Sequence, residues 1–387
     1  MAWADDLREQ LEQEIQKPSG PVGIIAYCFC LDEQQTTAME GSYLMTGSGA
    51  LTLIWQDGSV SSHRLSPFLS KEERLPIPFW QSGRYFDRNQ RRLRKPPTFP
   101  LPDIPLHDPN VFRHFKQLTA CHPAEDLRLE LTLHKRTVRH SHGLFLQAEM
   151  TAVRSARLPF VYESRRLPNE KEAAFLKTES DWISLLTPKP LCSILLKNSN
   201  TKLLLAPDAF RSLLYNTYCR FLHQGHTRSL ALAFADEMAG RSGLTVLYDP
   251  LVPWSRGSFL FTSQGVIPAA CDVFQAPALV PSDCEPASFH WKRPAPPQPF
   301  REWLVNQPDV LFIPEWRLPG VFQPRRSIFA WIPRAYRFQQ GRLTEQGNLT
   351  LPVSLMSILS SPALESVQRP GWDTAGLVLP LPHIIPD

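Results

Sequence analysis

The chain has 387 residues, of which 43% are hydrophobic and 20% charged, and carries a net charge of +4 at neutral pH. That length accommodates two domains of ordinary size, and the composition excludes a disordered, fibrous or disulfide-stapled chain. The weak positive balance singles out no nucleic-acid partner, because the one dense basic run, Arg84 to Lys95, leads straight into prolines and reads as a solvated loop.

Seven cysteines without regular spacing imply no disulfide framework, and the charged opening MAWADDLREQ has no apolar signal core. No apolar run approaches the ~20 residues that span a bilayer. A cytoplasmic protein with no membrane partner is therefore the expectation. The 38 prolines imply long shaped loops, since proline removes a backbone donor and resists helix interiors and central strands.

In chain order, Leu7, Leu11 and Ile15 predict a helix over Asp6 to Lys17. A buried strand over Val22 to Cys30 follows, then strands over Ser42–Thr46 and Ala50–Gln56, with Asp57-Gly58 as a tight turn before Ser59-Val60. Alternation along Cys28-Phe29-Cys30 puts both thiols on one face, as small buried hydrophobes. The stretch KPPTFPLPDIPLHDP, Lys95 to Pro109, sustains no regular structure. Val111, Phe112, Phe115 and Leu118 restore a helical face, and alternating Leu127, Leu129, Leu131 and Leu133 pair as a hairpin with LFLQAEMTAV. A domain change is placed near Leu176, giving domains 1–176 and 177–387.

The second half opens with strands over Leu191–Lys197 and Lys202–Leu205. Phe210, Leu213, Leu214, Thr217, Phe221 and Leu222 form a helical stripe, with Asp208 expected to cap the helix and Gly225 to end it. Beyond Gly240 the segments LTVLY, SFLFT, VLFIP, IFAWIP and LTLPVSLM read as short strands. The fold class expected is α+β: an N-terminal α/β domain with an antiparallel sheet, then a predominantly antiparallel β domain.

The stretches LLLAPDAFRSLL (203–214), ADEMAGRSGLTVLYDP (235–250) and GSFLFTSQGV (257–266), with AYRFQQGRLTEQGNLTLPVSLMSILSSPALESV (335–367), resemble the TldD/PmbA (TldE) family of metallopeptidase-related proteins. The resemblance implies a peptide substrate. In the family's catalytic branch the helix after the strand carries His-Glu-x-x-x-His, in which two histidines bind zinc and the glutamate activates water. Tyr215, Asn216 and Arg220 stand at those positions here. The family's Asp-Asp-Pro is Tyr248-Asp249-Pro250, its Asp-x-Glu-Gly turn is Thr262-Ser263-Gln264-Gly265, and the cysteine that the catalytic members carry near the C-terminus is missing, the last here being Cys284. Asp249, Pro250, Gly257 and Gly265 therefore read as architecture: a forced turn, a backbone bend and a left-handed position.

The resemblance thus implies a TldE/PmbA-like branch without catalytic residues or cofactor of its own, paired with a zinc-bearing TldD-like subunit or with itself as a dimer. The alternative is an independent enzyme with a rebuilt metal site, for which Cys219, His223 and His226 have one-face helical spacing. Against it, Gly225 ends the expected helix before His226. His140-Ser141-His142 falls in a turn, and no Gly-x-Ser-x-Gly, Walker or Cys-x-x-Cys motif is present. Trp80, Trp254, Trp316 and Trp331 are read chiefly as core or interface anchors, with a peptide groove as the second option.

Overall fold

The computed structural model describes residues 24–38, 43–55, 59–65, 84–85, 110–119, 128–140, 145–157, 160–183, 189–190, 201–222, 227–241, 243–262, 265, 268–280, 284–318, 325 and 327–381, together with Glu9 and Gln13. The chain packs into two compact units, neither of them one continuous segment. The first takes Met1–Leu101, Glu130–Val153 and Phe259–Pro268, and the second takes the rest. Leu176, where the sequence suggests a change of domain, lies inside a helix of the second unit.

Within the first unit, β1 (Ile24–Ala38), β2 (Tyr43–Trp55), β3 (Ser59–Leu65), β4 (Arg84–Tyr85), β5 (Arg128–His140) and β6 (Phe145–Arg157) line up in the order β4-β3-β2-β1-β5-β6. The two short strands expected over Ser42–Thr46 and Ala50–Gln56 are one long strand, because β2 pairs with β1 continuously from Tyr43 to Ile54. Strand alternation places Cys28 and Cys30 on one face, buried with Val138, Leu146, Ala148 and Phe261. Across the β1/β5 register Asp32 faces Arg136, whose Nε and Nη2 donate to the two carboxylate oxygens at 2.6 and 3.1 Å. Burial alone would raise the Asp32 pKa, but hydrogen bonding from His134 and the Arg136 charge bring it down to about 2. Of the helix expected over Asp6–Lys17 only Glu9 and Gln13 are described, both helical. The Asp57-Gly58 turn, most of the Arg84–Lys95 run, and Leu191–Lys197 lie outside the described residues.

The second unit carries α1 (Val111–Thr119), β7 (Phe160–Ser164), α2 (Glu170–Ile183), β8 (Lys189–Pro190), β9 (Lys202–Leu205) and α3 (Pro207–Leu214). Then come α4 (Arg228–Arg241), β10 (Thr245–Tyr248), β11 (Cys271–Asp272), β12 (Phe289–Lys292), β13 (Gln298–Pro299), α5 (Phe300–Val305) and β14 (Asp309–Ile313). The last elements are β15 (Ile328–Gln339), β16 (Arg342–Val353), α6 (Leu355–Leu359), β17 (Glu365–Gln368) and β18 (Gly376–Pro380). Eight of these strands form one sheet in the order β13-β17-β18-β9-β14-β15-β16-β8. Its long pairings are antiparallel, while β9 runs parallel to β14 and the short edges add β13/β17 and β16/β8 in parallel. A small antiparallel sheet, β11-β10-β12, stands beside it in the same unit. The protein is therefore α+β with antiparallel sheets.

Three local expectations are corrected. SFLFT is not a strand, because the Ser258 hydroxyl donates to the carbonyls of Val252 and Ser255 and holds the backbone in a loop. Asp208 does not cap α3: the cap position is Ala206, with Pro207 supplying the preset φ of the first helical residue, and Asp208 sits one residue further in. LTLPVSLM divides at Ser354, whose hydroxyl accepts the Ser357 N–H and starts α6.

The second unit's core gathers Phe160, Leu204, Phe300, Trp303, Phe312, Tyr336 and Phe338, with the Phe160 ring edge-on to Phe300 at 5.1 Å. Buried in the same unit, Arg369 binds Glu179 through two nitrogens and donates to the Val161 carbonyl, with its guanidinium 4.9 Å from the centre of the Phe160 ring. The predicted stripe of α3 is inside as drawn: Phe210, Leu213, Leu214, Thr217, Phe221 and Leu222 are all buried. Leu214 is fully buried, so Leu214→Ala is expected to cost about 2–5 kcal/mol of stability, read as a shift in the denaturant midpoint at constant slope.

Candidate functional site

The helix that begins at Pro207 changes character at Tyr215. Regular α-helix stops at Leu214, residues Tyr215–Cys219 form a π-helical turn, and Arg220–Leu222 resume α geometry. The Arg220 N–H bonds the Tyr215 carbonyl, five residues back. In an α-helix, side chains five residues apart point about 140° away from each other. The π-turn brings them to one side, and the Arg220 guanidinium lies over the Tyr215 ring at 5.9 Å. Asn216 is tied locally as well: its amide nitrogen donates to the Ser212 carbonyl at 2.8 Å, and its oxygen accepts from Arg220 at 3.5 Å. A phenol, an amide and a permanent cation do not suit a zinc ion, because none supplies an imidazole or a carboxylate and the guanidinium repels it.

The other ligand candidates are not assembled into a metal site by what is described. His223 and His226, with Gly225, lie outside the described residues. Cys219 is wholly buried, and burial, followed by the neighbouring thiols of Cys284 and Cys271, pushes its pKa well up, away from the thiolate that binds metal. Among the described residues no three His, Cys, Asp or Glu side chains group as metal ligands.

What the sequence reading missed is a charged brace built on Arg211 in the last turn of α3. Arg211 is 3% exposed. Its Nη2 donates to Asp373 Oδ1 at 2.7 Å, its Nε to the Phe289 carbonyl at 2.8 Å, and its guanidinium lies 5.8 Å from the centre of the Trp291 ring. The second oxygen of Asp373 accepts the Ser255 hydroxyl at 2.5 Å. Burial would raise the Asp373 pKa, but Arg211, His290 and the Ser255 hydroxyl hold it below the ordinary carboxylate range. Burial and the Arg211 charge together lower the pKa of His290, whose Nε2 has no hydrogen-bond partner among the described residues. The three side chains Ser255, Asp373 and His290 do not make a nucleophilic triad, since the serine proton is given to the carboxylate and both Ser255 and His290 are buried.

Of the residues assigned to architecture, Asp249, Pro250 and Gly257 lie in the loop that carries Ser255. Asp249 accepts the Leu251 N–H at 3.0 Å, closing the turn that buried Pro250 begins, while its own N–H reaches the Ser288 carbonyl at 2.9 Å. Gly257 passes so close to the Ala287 backbone that a Cβ would sit 2.2 Å from the Ala287 carbonyl carbon. Gly265, in the first unit, has φ of 73° and its N–H on the Thr262 carbonyl, the left-handed position read from the sequence. Arg165 holds the loop before Gly257 by donating to the carbonyls of Ser255, Arg256 and Ser258. That clamp keeps Trp254 at φ 66°, a conformation costly for a bulky side chain, with its carbonyl bonded by the Arg165 N–H and the Ser164 hydroxyl. Trp254 is half-buried, Trp316 is buried, Phe329 and Trp331 are exposed, and Trp80 lies outside the described residues.

A two-unit α+β chain whose larger sheet supports this interrupted helix matches solved structures over nearly its whole length. It is similar to a proposed DNA gyrase modulator from Bacteroides thetaiotaomicron, with 12% identity, 98% of this chain and 97% of that one covered, and a TM-score of 0.55. It is similar also to a proposed DNA gyrase modulator from Thermotoga maritima, with 12% identity, 97% and 98% covered, and a TM-score of 0.52. TldE from Thermococcus kodakarensis aligns over 97% and 98% at 11% identity, with a TM-score of 0.49. At the first two of these likenesses the shared property is the fold. No protein-family model and no curated protein sequence matches the chain.

The brace yields two expectations. Asp373→Ala, which takes the closer carboxylate from buried Arg211 and leaves it only exposed Asp208 at 3.4 Å, is expected to destabilise by up to about 3–5 kcal/mol, measured by denaturant unfolding. His290 is depressed in the folded state, so the unfolded chain takes up the proton first. The stability it contributes is full above its ordinary value of 6.5 and is lost as pH falls through the lower folded-state value. The melting temperature should therefore drop as the solution is acidified below that point, and His290→Gln should shrink that drop.

Proposed function

We propose that the protein is a TldE/PmbA-like subunit that carries no catalytic residues of its own and acts in a TldD/TldE-type complex on small or unfolded peptides. The observation that supports this most directly is the π-turn. The five-residue spacing of the zinc motif has the helix geometry that would place its two histidines together, yet the positions hold Tyr215 and Arg220, engaged with each other, and Asn216 in place of the general base. A frame kept for i and i+5 contact, filled with side chains unsuited to zinc, fits a retained scaffold whose chemistry resides elsewhere. On this reading zinc belongs to a TldD-like partner subunit. The exposed Phe329 and Trp331 are the aromatic anchors offered for assembly.

Two measurements test the proposal. Elemental analysis of the natively purified chain is expected to find no stoichiometric zinc; about one zinc per chain, lost in Cys219→Ala and His223→Ala, would establish the rebuilt site instead. Co-expression with a paralogue bearing His-Glu-x-x-x-His should give one joint peak on sizing chromatography, with peptidase activity whose kcat at saturating peptide Asn216→Ala leaves within about twofold of the unmutated complex, since no general base is removed. Separate elution, with the paralogue fully active alone, would sink the subunit reading.

A further inference from the structure

Arg220 differs in its setting from the buried arginines of the second unit. Arg211, Arg337 and Arg369 each meet a carboxylate within 4 Å, and each is consumed in holding elements together. Arg220 is exposed, has no carboxylate partner among the described residues, and is nonetheless held in place from two directions. The Tyr215 ring supports the guanidinium face at 5.9 Å, and the Asn216 oxygen accepts from Nη1. Asn216 is itself oriented by the Ser212 carbonyl, which takes its amide N–H at 2.8 Å and so directs the oxygen toward the arginine.

The π-turn is what makes this arrangement. Without it, Tyr215 and Arg220 would lie on different sides of the helix, and the guanidinium would be a free surface charge with the full rotamer entropy of a long side chain. A guanidinium lying over a ring at 5.9 Å, with one nitrogen 3.5 Å from an amide oxygen, is steered by both and keeps further N–H donors on its planar fork, on an exposed residue. A planar fork pairs two N–H donors with the two oxygens of a carboxylate, and pre-ordering lowers the entropic cost of forming that pair.

We infer that Arg220, positioned by Tyr215 and Asn216, is a receptor for a carboxylate of a bound peptide, so that the chain contributes an anchoring site where a metal-bearing relative would contribute zinc. The inference rests on the peptide reading above. Two sources share the chemistry, the C-terminal carboxylate of the peptide and an acidic side chain within it.

The test uses the full-length chain and three forms of one short unstructured peptide: the free acid, its C-terminal amide, and the amide carrying one internal glutamate. Binding is read by calorimetry at low salt. The free acid is expected to bind at least about tenfold more tightly than the plain amide. Arg220→Gln should abolish that preference, and Arg220→Lys should recover only part of it, because an ammonium keeps the charge without the fork. Tyr215→Ala should weaken free-acid binding more than Tyr215→Phe does. Equal melting temperatures for Arg220→Gln and wild type would show that the fold is intact. If the glutamate amide binds as the free acid does, the receptor takes a carboxylate from either source. If only the free acid is favoured, it reads the chain end. A preference that survives Arg220→Gln, or an amide that binds as well as the acid, overturns the receptor and leaves the peptide reading standing. Failure of all three peptides to bind overturns both.

Discussion

The second unit depends on one buried ion pair, Arg211 with Asp373. Its members are separated by 162 residues in the chain, and they join four segments at once: the last turn of α3, the edge strand β12 through the Phe289 carbonyl, the 249–258 loop through Ser255, and the C-terminal turn that carries Asp373. A charge pair shut away from water is costly unless nearly every donor and acceptor is matched. Here Arg211 has a carboxylate, a main-chain carbonyl and an aromatic face, and Asp373 has a guanidinium and a hydroxyl. Thr374, the next residue, bonds both the N–H and the carbonyl of Trp291, so the same turn also seals the end of β12.

That brace explains how an unusual helix is tolerated. A π-turn widens the helix and gives up good hydrogen-bond geometry, so it persists only where the flanking turns are anchored. Before it, Arg211 is locked and Phe210 packs edge-on against Trp291 at 4.8 Å. Within it, the Tyr218 hydroxyl reaches the Val273 carbonyl while its ring meets Phe234 and Phe274. The side of the turn facing the core is thus fully engaged. The side facing out carries Tyr215, Asn216 and Arg220, which engage mainly one another.

A divided architecture runs through the molecule. Buried charges such as Glu179–Arg369 and Asp309–Arg337 are bidentate and serve cohesion, whereas Arg220, exposed beside the π-turn, meets no carboxylate among the described residues. Removing a metal site from such a scaffold need not unfold it, because the ligands would sit on the outward face, apart from the side chains that hold the helix in place.

Local order was legible in the residues themselves. Hydrophobic spacing located the α3 stripe, alternation placed Cys28 and Cys30 together, and the turn chemistry of Asp249-Pro250 and Gly265 described the backbone that is found. These depend on neighbours within a turn or a strand, which periodicity encodes. Where a nearby side chain overrides propensity the reading slipped, as when Ser258 folds SFLFT into a loop and Pro207 displaces Asp208 from the cap. Tyr215, Asn216 and Arg220 were singled out by a resemblance alone, and the π-turn that sets Arg220 over Tyr215 is a product of packing on both sides of the helix. The partners of Arg211 and Arg369 are 162 and 190 residues away, and no periodicity reports which of many carboxylates a distant guanidinium will meet. The sequence by itself determined most of the helices and strands, through spacing that acts within a turn or a strand; only the tertiary structure decided which charges are buried in pairs, because those partners lie far apart in the chain.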